Sequence, residues 1–241
     1  MAGILYIISA PSGSGKSTLV NELRRIIPQL EFSVSYTTRA PRGSEQNGQE
    51  YYFTSHREFE EMIRRQEFLE YAEVFGHYYG TAKRFLQEAE RRGNDLLLDI
   101  DVQGAVQVKE RVKNPVSIFV LPPSRKELES RLRNRSASEA HSGVRSQAMT
   151  DEVIERRLLE ARKEIEKYSI YDYILVNDRL QESVDRLKAI VLSERARRSG
   201  AKLSDEERGM VETARQCLQE ANATSGKLRE ILNSFAPAVS G

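Results

Sequence analysis

Short runs of apolar residues alternate along the chain with segments in which apolar residues recur every three or four positions. Continuous apolar runs predict strands buried on both faces, and they lie at 4–9, 95–100, 116–121 and 173–176. Residues 16–27 show the helical spacing instead, and that pattern stops before Pro28. Because buried strands and amphipathic helices alternate, we expect an α/β fold in which helices flank a parallel sheet.

Several helix ends carry local signals. Two capping boxes and one terminal glycine are present: Ser55 with Glu58 before a helix over 56–66, Ser124 with Glu127 before a helix through Arg133, and Gly93 after a helix over 82–92. A further helix is expected from about Thr150 to Tyr168.

Three segments depart from the alternation. Residues 32–80 are rich in tyrosine and threonine with short strand-like pieces, which predicts a small β-rich insertion. Residues 134–150 are polar with few apolar anchors, which predicts a mobile loop. Residues 197–241 carry a helical stripe without a strand and end in the tail APAVSG. This C-terminal extension could pack on the chain, form a homo-oligomer or bind a partner protein, and we favour the first two.

Composition narrows the function classes. The 241 residues contain 37 Lys+Arg and 36 Asp+Glu, and this balance removes any global electrostatic argument for binding DNA or RNA. No apolar stretch approaches the length of a membrane span, and the first residues lack the form of a signal peptide. The single cysteine, Cys217, excludes an intrachain disulfide and a cysteine metal site. We therefore expect a cytoplasmic protein that binds neither nucleic acid nor membrane.

Residues 10–17 read APSGSGKS and lie between a predicted strand and a predicted helix. They match the phosphate-binding pattern G-x-x-x-x-G-K-[ST], except that Ala10 replaces the first glycine, which is acceptable if its φ is negative. Lys16 would hold the β- and γ-phosphates of ATP, and Ser17 would ligate Mg²⁺. The expected ATP site comprises Ala10, Pro11, Ser12, Gly13, Ser14, Gly15, Lys16, Ser17 and Thr18.

Two carboxylates end the strand predicted at 95–100. Asp99 and Asp101 would lie at the C-terminal end of a buried strand beside the phosphate-binding loop, where α/β proteins bind ligands. We expect both to face metal or substrate, with Asp99 as a candidate helper of Ser17 at Mg²⁺.

Five stretches resemble the guanylate kinase family: SAPSGSGKSTL (9–19), FSVSYTTRAPRGSEQNGQEYYF (32–53), FLEYAEVFGHYYGT (68–81), LLLDIDVQG (96–104) and ILVND (174–178). The resemblance spans most of residues 4–195 and implies Mg²⁺-dependent, in-line phosphorylation of GMP and dGMP by ATP, in purine nucleotide metabolism. It also implies a P-loop fold with a core (1–34, 82–133 and 169–196), a GMP-binding region (35–81) and a helical lid (134–168). The extension (197–241) is not covered by the resemblance and makes a fourth region.

The resemblance assigns two sets of residues to GMP. Arg39, Arg42, Tyr51 and Tyr79 would bind its phosphate, which suits arginine forks and hydroxyl donors. Ser35, Glu70, Thr81 and Asp101 would face its base. Guanine presents N1–H and a 2-amino group on one edge, and one carboxylate can accept from both. Adenine lacks that pair, so Glu70 could discriminate strongly between the two bases.

Phosphoryl transfer needs positive charge along the transferred group more than covalent help from the protein. The resemblance supplies the lid arginines Arg131, Arg135 and Arg157, which join Lys16 and Arg39 as catalytic residues. No general base is required, because the phosphate of GMP is itself a nucleophilic anion.

The linker after Arg135 departs from the family pattern. It is longer than usual and contains His141, Gly143 and Arg145, which leaves open which arginine reaches the phosphates. Two other functions stay open as well. One is a related P-loop kinase acting on another monophosphate or a phosphorylated sugar, and the other is a protein-interaction module of the same fold without catalysis.

Overall fold

The computed structural model describes residues 3–74, 76–141, 149–200, 202–223 and 225–236. In these ranges the strands are β1 (Leu5–Ser9), β2 (Leu30–Phe32), β3 (Tyr36–Thr37), β4 (Tyr52–Phe53), β5 (Phe68–Val74), β6 (His77–Ala82), β7 (Asp95–Asp99), β8 (Val116–Leu121) and β9 (Tyr173–Val176). The helices are α1 (Lys16–Ile26), α2 (His56–Arg64), α3 (Lys83–Arg92), α4 (Val102–Arg111), α5 (Arg125–His141), α6 (Asp151–Ile165), α7 (Leu180–Ser199), α8 (Asp205–Arg215), α9 (Gln219–Ala223) and α10 (Gly226–Ser234).

The local signals in the sequence mark real element ends. The Ser55 side chain accepts from the backbone N–H of Glu58, and the Glu58 carboxylate accepts from the backbone N–H of Ser55, so the capping box before α2 is complete. Gly93 ends α3 with φ at 68°, in the left-handed region that favours glycine. The buried strands predicted from apolar runs are β1, β7, β8 and β9.

The polar segment after Arg133 differs from its prediction. A loop was expected over 134–150, but α5 continues to His141. Arg135 and Glu139 form an i,i+4 ion pair 2.7 Å long, and the buried Ser136 hydroxyl accepts from the backbone N–H of Met149 at 2.6 Å. Polar composition therefore did not exclude a helix here. Gly143 and Arg145 lie outside the described residues.

The chain divides into two compact units, and the first comprises Met1–Ser9 and Pro28–Ser117. Within it, β2 and β1 each pair in parallel with β7, and Leu5 lies opposite Leu96. A separate mixed sheet has the strand order β4-β3-β6-β5. Helix α2 packs Phe59 and Met62 against Phe68 of β5, and such buried side chains each stabilise the fold by about 1.5–3 kcal/mol.

The second unit comprises Ala10–Ile27 and Ile118–Gly241. Here β8 pairs in parallel with β9, α1 packs on α7, and α5 packs on α6. Every residue of β8 and β9 is buried, which explains why both strands read as continuous apolar runs.

The C-terminal extension packs on its own unit. The backbone N–H of Ile174 donates to Cys217 O at 2.7 Å, and that of Gln219 donates to Asp172 O at 2.9 Å, so residues around Leu218 pair with β9. Leu228, Ile231 and Phe235 of the last helical segment are buried. This pairing covers backbone groups that a bare strand edge would expose.

The observed architecture is therefore α/β, with parallel strands flanked by helices and a small β-rich sheet, as the sequence predicted. Among the described helices, none combines the length and the apolar character that a membrane span requires.

Candidate active site

The phosphate-binding loop opens α1 in the second unit. Gly13 and Gly15 have φ values of 95° and 88°, and Gly15 is the residue before the helix. The N–H of Ser14 donates to Pro11 O at 3.1 Å, which closes a tight turn. Ala10 is not among the described non-glycine residues with positive φ, so the alanine is accommodated there. Lys16, Ser17 and Thr18 then form the first turn of α1, where backbone N–H groups attract an anion.

The carbonyl of Ser14 has two partners that come from elsewhere in this unit. The Asn177 side-chain amide donates to Ser14 O at 2.7 Å, and Arg131 Nη1 donates to the same oxygen at 3.3 Å. Arg131 Nη2 also reaches Asn177 O at 3.1 Å. The loop is therefore tied to α5 and to the end of β9 at one peptide group.

The three arginines expected in the lid make different contacts. Arg131 lies against the loop, and Arg157 Nη1 lies 3.5 Å from the Ser12 hydroxyl. Arg135 instead pairs with Glu139 and keeps 58% of its side chain exposed. The structure thus brings Arg131 and Arg157 to the phosphate-binding loop and leaves Arg135 on the helix surface.

The residues expected to face a base meet in the first unit. Glu70 of β5 lies directly opposite Thr81 of β6, and the Thr81 hydroxyl and backbone both hydrogen-bond to the Glu70 carboxylate. The Ser35 and Thr81 hydroxyl oxygens lie 3.4 Å apart. Asp101 caps α4 by accepting from the N–H of Gly104 at 2.8 Å, and a Cβ on Gly104 would come within 2.4 Å of Glu70 Oε2.

Burial dominates the electrostatics of Glu70. Its side chain is 3% exposed, and loss of solvent raises the pKa of the carboxyl to about 7. The negative charge of Asp101 raises this pKa further, whereas the bonds from Thr81 and the charge of Arg111 lower it. A carboxylate in this position has strong need of hydrogen-bond donors when it is ionised.

The residues expected to bind a phosphate also gather in the first unit. The rings of Tyr51 and Tyr79 meet edge to face at 5.8 Å, and the Arg39 guanidinium lies 5.2 Å from the centre of the Tyr51 ring. The buried Arg39 pairs with Glu45 at 2.9 Å, and Glu45 also accepts from the backbone N–H of Arg42 at 2.8 Å. The side chain of Arg42 itself is on the exposed surface.

Two pKa shifts in this group favour the protonated forms of Arg39 and Tyr51. Burial opposes the charge on Arg39, but the hydrogen bond and charge of Glu45 outweigh it, so the pKa of Arg39 rises. Burial, with the nearby charge of Asp99 and the Tyr79 hydroxyl, raises the pKa of Tyr51 to about 12. The Tyr51 hydroxyl is protonated at neutral pH and can donate a hydrogen bond to a phosphate oxygen.

Reasoning from the sequence missed Glu45, Gly104 and Asn177. Glu45 carried a weak signal, as a carboxylate three residues after Arg42 in the loop that contains both arginines. Asn177 follows a buried strand directly, which is the position that drew attention to Asp99. The closeness of Gly104 to Glu70 had no signal in the sequence.

Comparison with known proteins identifies the family of this chain. The family model described as guanylate kinase matches residues 3–194. A guanylate kinase from Koribacter versatilis is 57% identical over 238 residues, covering 99% of this chain and 98% of that protein. One from Geobacter metallireducens is 50% identical over 195 residues, covering 81% of this chain and 91% of that protein.

A solved structure agrees with the sequence relatives. The crystal structure of guanylate kinase from Anaplasma phagocytophilum superposes with a TM-score of 0.64 at 34% identity, covering 80% of this chain and 86% of that one. The Koribacter protein also matches through most of the C-terminal extension, which the family model does not reach. The chain belongs to the guanylate kinase family.

Proposed function

We propose that this member of the guanylate kinase family transfers the γ-phosphoryl group of ATP to GMP or dGMP through the residues described above. The observation that carries the base assignment is the buried Glu70 of the mixed sheet, whose carboxylate accepts hydrogen bonds from Thr81 and lies near the negative charge of Asp101. Guanine would supply the two N–H donors that the ionised carboxylate requires, and Ser35 and Thr81 offer hydroxyls to neighbouring base atoms.

The phosphate of GMP would lie at Arg39, Tyr51 and Tyr79. Arg39 has a raised pKa and Tyr51 retains its proton, so both are donors at neutral pH. Arg42 adds a positive charge from the exposed surface of the same loop. Arginine forks suit a dianionic phosphate better than lysine would.

ATP would bind at the loop formed by residues 10–17, with Lys16 at its β- and γ-phosphates and Thr18 in the first helical turn. Arg131 and Arg157 approach the loop and would offset charge that develops during transfer. Arg135 would have to leave Glu139 to take part.

Mg²⁺ would be held by the hydroxyl of Ser17, with Asp99 as its candidate helper. Both offer hard oxygen ligands, which Mg²⁺ prefers, and no cluster of three or more histidine, cysteine, aspartate or glutamate residues in the described ranges offers an alternative metal site. When bound, the ion would neutralise charge on the phosphates of ATP.

The chemistry is a direct in-line displacement. An oxygen of the GMP phosphate attacks the γ-phosphorus, the bond from that phosphorus to the β,γ-bridging oxygen breaks, and ADP leaves with the electron pair. The attacking oxygen carries a charge already, so the residues of this chain orient the phosphates and offset their charge rather than removing a proton.

The remaining expectations stay predictions. They include the division into a core (1–34, 82–133 and 169–196), a GMP-binding region (35–81), a lid (134–168) and an extension (197–241), and the cytoplasmic location. The apolar residues Ala214, Leu228, Ile231 and Phe235 are buried within the chain. Two copies that associate through the C-terminal helices would therefore have to use other residues. Mass measurement in solution would test it.

GMP-dependent release of ADP from ATP tests the proposal. GMP and dGMP should be phosphorylated, and AMP, UMP and TMP should react at least about 100-fold more slowly. Lys16→Ala should abolish ADP release while the protein stays folded. Equal rates on AMP would favour a related kinase of other specificity, and no ADP release by the unaltered chain would favour the interaction module.

A further inference from the structure

Asn177 lies at the end of β9 and contacts the phosphate-binding loop. It follows Val176 directly, is 6% exposed, and its backbone N–H donates to Leu121 O at 2.8 Å. That bond fixes its backbone against the end of β8. Its side-chain amide donates to Ser14 O at 2.7 Å, in the middle of the loop.

The space between Asn177 and the loop is filled. A Cβ added to Gly15 would lie 2.4 Å from Asn177 Nδ2, so the amide packs directly on that glycine. Arg131 closes the arrangement, with Nη1 at 3.3 Å from Ser14 O and Nη2 at 3.1 Å from Asn177 O. The Ser14 carbonyl therefore accepts from both Asn177 and Arg131, and Arg131 also donates to the backbone carbonyl of Asn177.

The Ser14 carbonyl matters because of the peptide group to which it belongs. Its peptide partner is the N–H of Gly15, and in a planar trans peptide the C=O and N–H point in opposite directions. A loop of this kind binds phosphate through N–H groups that must all point at the anion. A donor that holds Ser14 O consequently sets the direction of Gly15 N–H.

We propose that Asn177 is a positioning residue for ATP, whose side-chain amide holds the Ser14 carbonyl so that the Gly15 N–H is aimed at the nucleotide phosphates. The proposal rests on the proposed function, because it takes ATP as the ligand of the loop. It gives a specific role to Asn177 in the ILVND stretch (174–178). Neither the phosphate-binding motif nor the residues assigned to GMP gave this stretch a role.

The main test is Asn177→Asp, which keeps the shape and replaces the donor by an oxygen facing the Ser14 carbonyl. Steady-state kinetics should give a KM for ATP raised by about tenfold or more and a KM for GMP within about twofold of the unaltered chain. Binding of a fluorescent ATP analogue without GMP should weaken by the same factor. Asn177→Ala, which adds no charge, should shift the KM for ATP in the same direction by less.

Gln181→Glu is the matched control, because it makes the same amide-to-carboxylate change at an exposed position four residues away. It should leave both KM values unchanged. Melting curves of all variants establish that they are folded at the assay temperature.

Two results would overturn the inference. One is an unchanged KM for ATP in both Asn177 variants, and the other is an equal rise in both KM values, which a general structural role would produce. Failure of the proposed function looks different, since the unaltered chain would then show no GMP-dependent ADP release.

Discussion

Glu70 and Thr81 lie directly opposite one another in the antiparallel pair of β5 and β6, and the Thr81 hydroxyl and backbone both hydrogen-bond to the Glu70 carboxylate. These bonds favour the ionised form of Glu70, whereas burial favours the neutral form and prevails. The carboxyl is therefore poised near pH 7, where a guanine base could complete the set of donors that its ionised form lacks.

The first prediction concerns the pH dependence of GMP binding. With its pKa at about 7, Glu70 is protonated in part of the free protein, and only the ionised carboxylate can accept both guanine donors. The KM for GMP should rise about fourfold from pH 8 to pH 6.5, because the ionised fraction falls by that factor. The KM for ATP serves as the internal control. A KM for GMP that is flat over this range would contradict the assignment.

The same shift predicts how Glu70→Gln changes stability. The folded-state pKa of Glu70 lies above its ordinary value of 4.5, so the group contributes stability below pH 4.5 that is lost as pH rises through 7. Glutamine cannot ionise and avoids that loss. From pH 4.5 to pH 8 the unfolding free energy of the variant should gain about 3 kcal/mol relative to the unaltered chain. Chemical denaturation at both pH values measures this, and a constant difference would refute it.

Local patterns predicted much of the fold, because helix caps and buried strands depend on neighbouring residues. The Ser55–Glu58 capping box and the Gly93 terminus are of this kind. The helix through residues 134–141 was missed because ion pairs such as Arg135–Glu139 can support a helix that lacks an apolar stripe. Contacts between distant segments, such as Asn177 with Ser14, depend on tertiary packing that no local pattern records.

Gly104→Ala tests the close approach of α4 to Glu70. The added methyl would lie 2.4 Å from Glu70 Oε2 and 3.3 Å from Asp101 Oδ1, so the carboxylate has to move. The KM for GMP should rise about tenfold or more, while the KM for ATP stays within about twofold.

Gly209→Ala in α8 is the matched control, because the new methyl would meet none of the described atoms within 4 Å. Activity should not change, and stability should increase by about 0.5–1 kcal/mol, since alanine favours helix over glycine. Equal kinetics for the two alanine variants would show that the position of Glu70 is not critical.

Arg131 and Arg133 lie two residues apart on α5 and make different contacts. Arg131 reaches the Ser14 and Asn177 carbonyls, whereas Arg133 pairs with Glu129 and Asp151 at the surface. Arg131→Ala should lower kcat by about 100-fold or more, because the proposed function assigns its charge to the transferred group. Arg133→Ala should leave kcat within about twofold and change stability little, because its ion pairs lie on the exposed surface. Similar turnover in the two variants would remove Arg131 from the catalytic set.

Ile231→Ala tests whether the C-terminal extension is part of the folded unit. Ile231 is a buried residue of α10. Ser234, at the end of the same helix, accepts a hydrogen bond from the backbone N–H of Arg125 at the start of α5. The substitution should lower the free energy of unfolding by about 2–4 kcal/mol and lower Tm, because the smaller side chain leaves a cavity under the helix. Glu230→Ala, at the exposed adjacent position, should change stability by less than about 0.5 kcal/mol. If both variants melt at the same temperature as the unaltered chain, the buried side chain of Ile231 contributes no stability and the prediction is wrong.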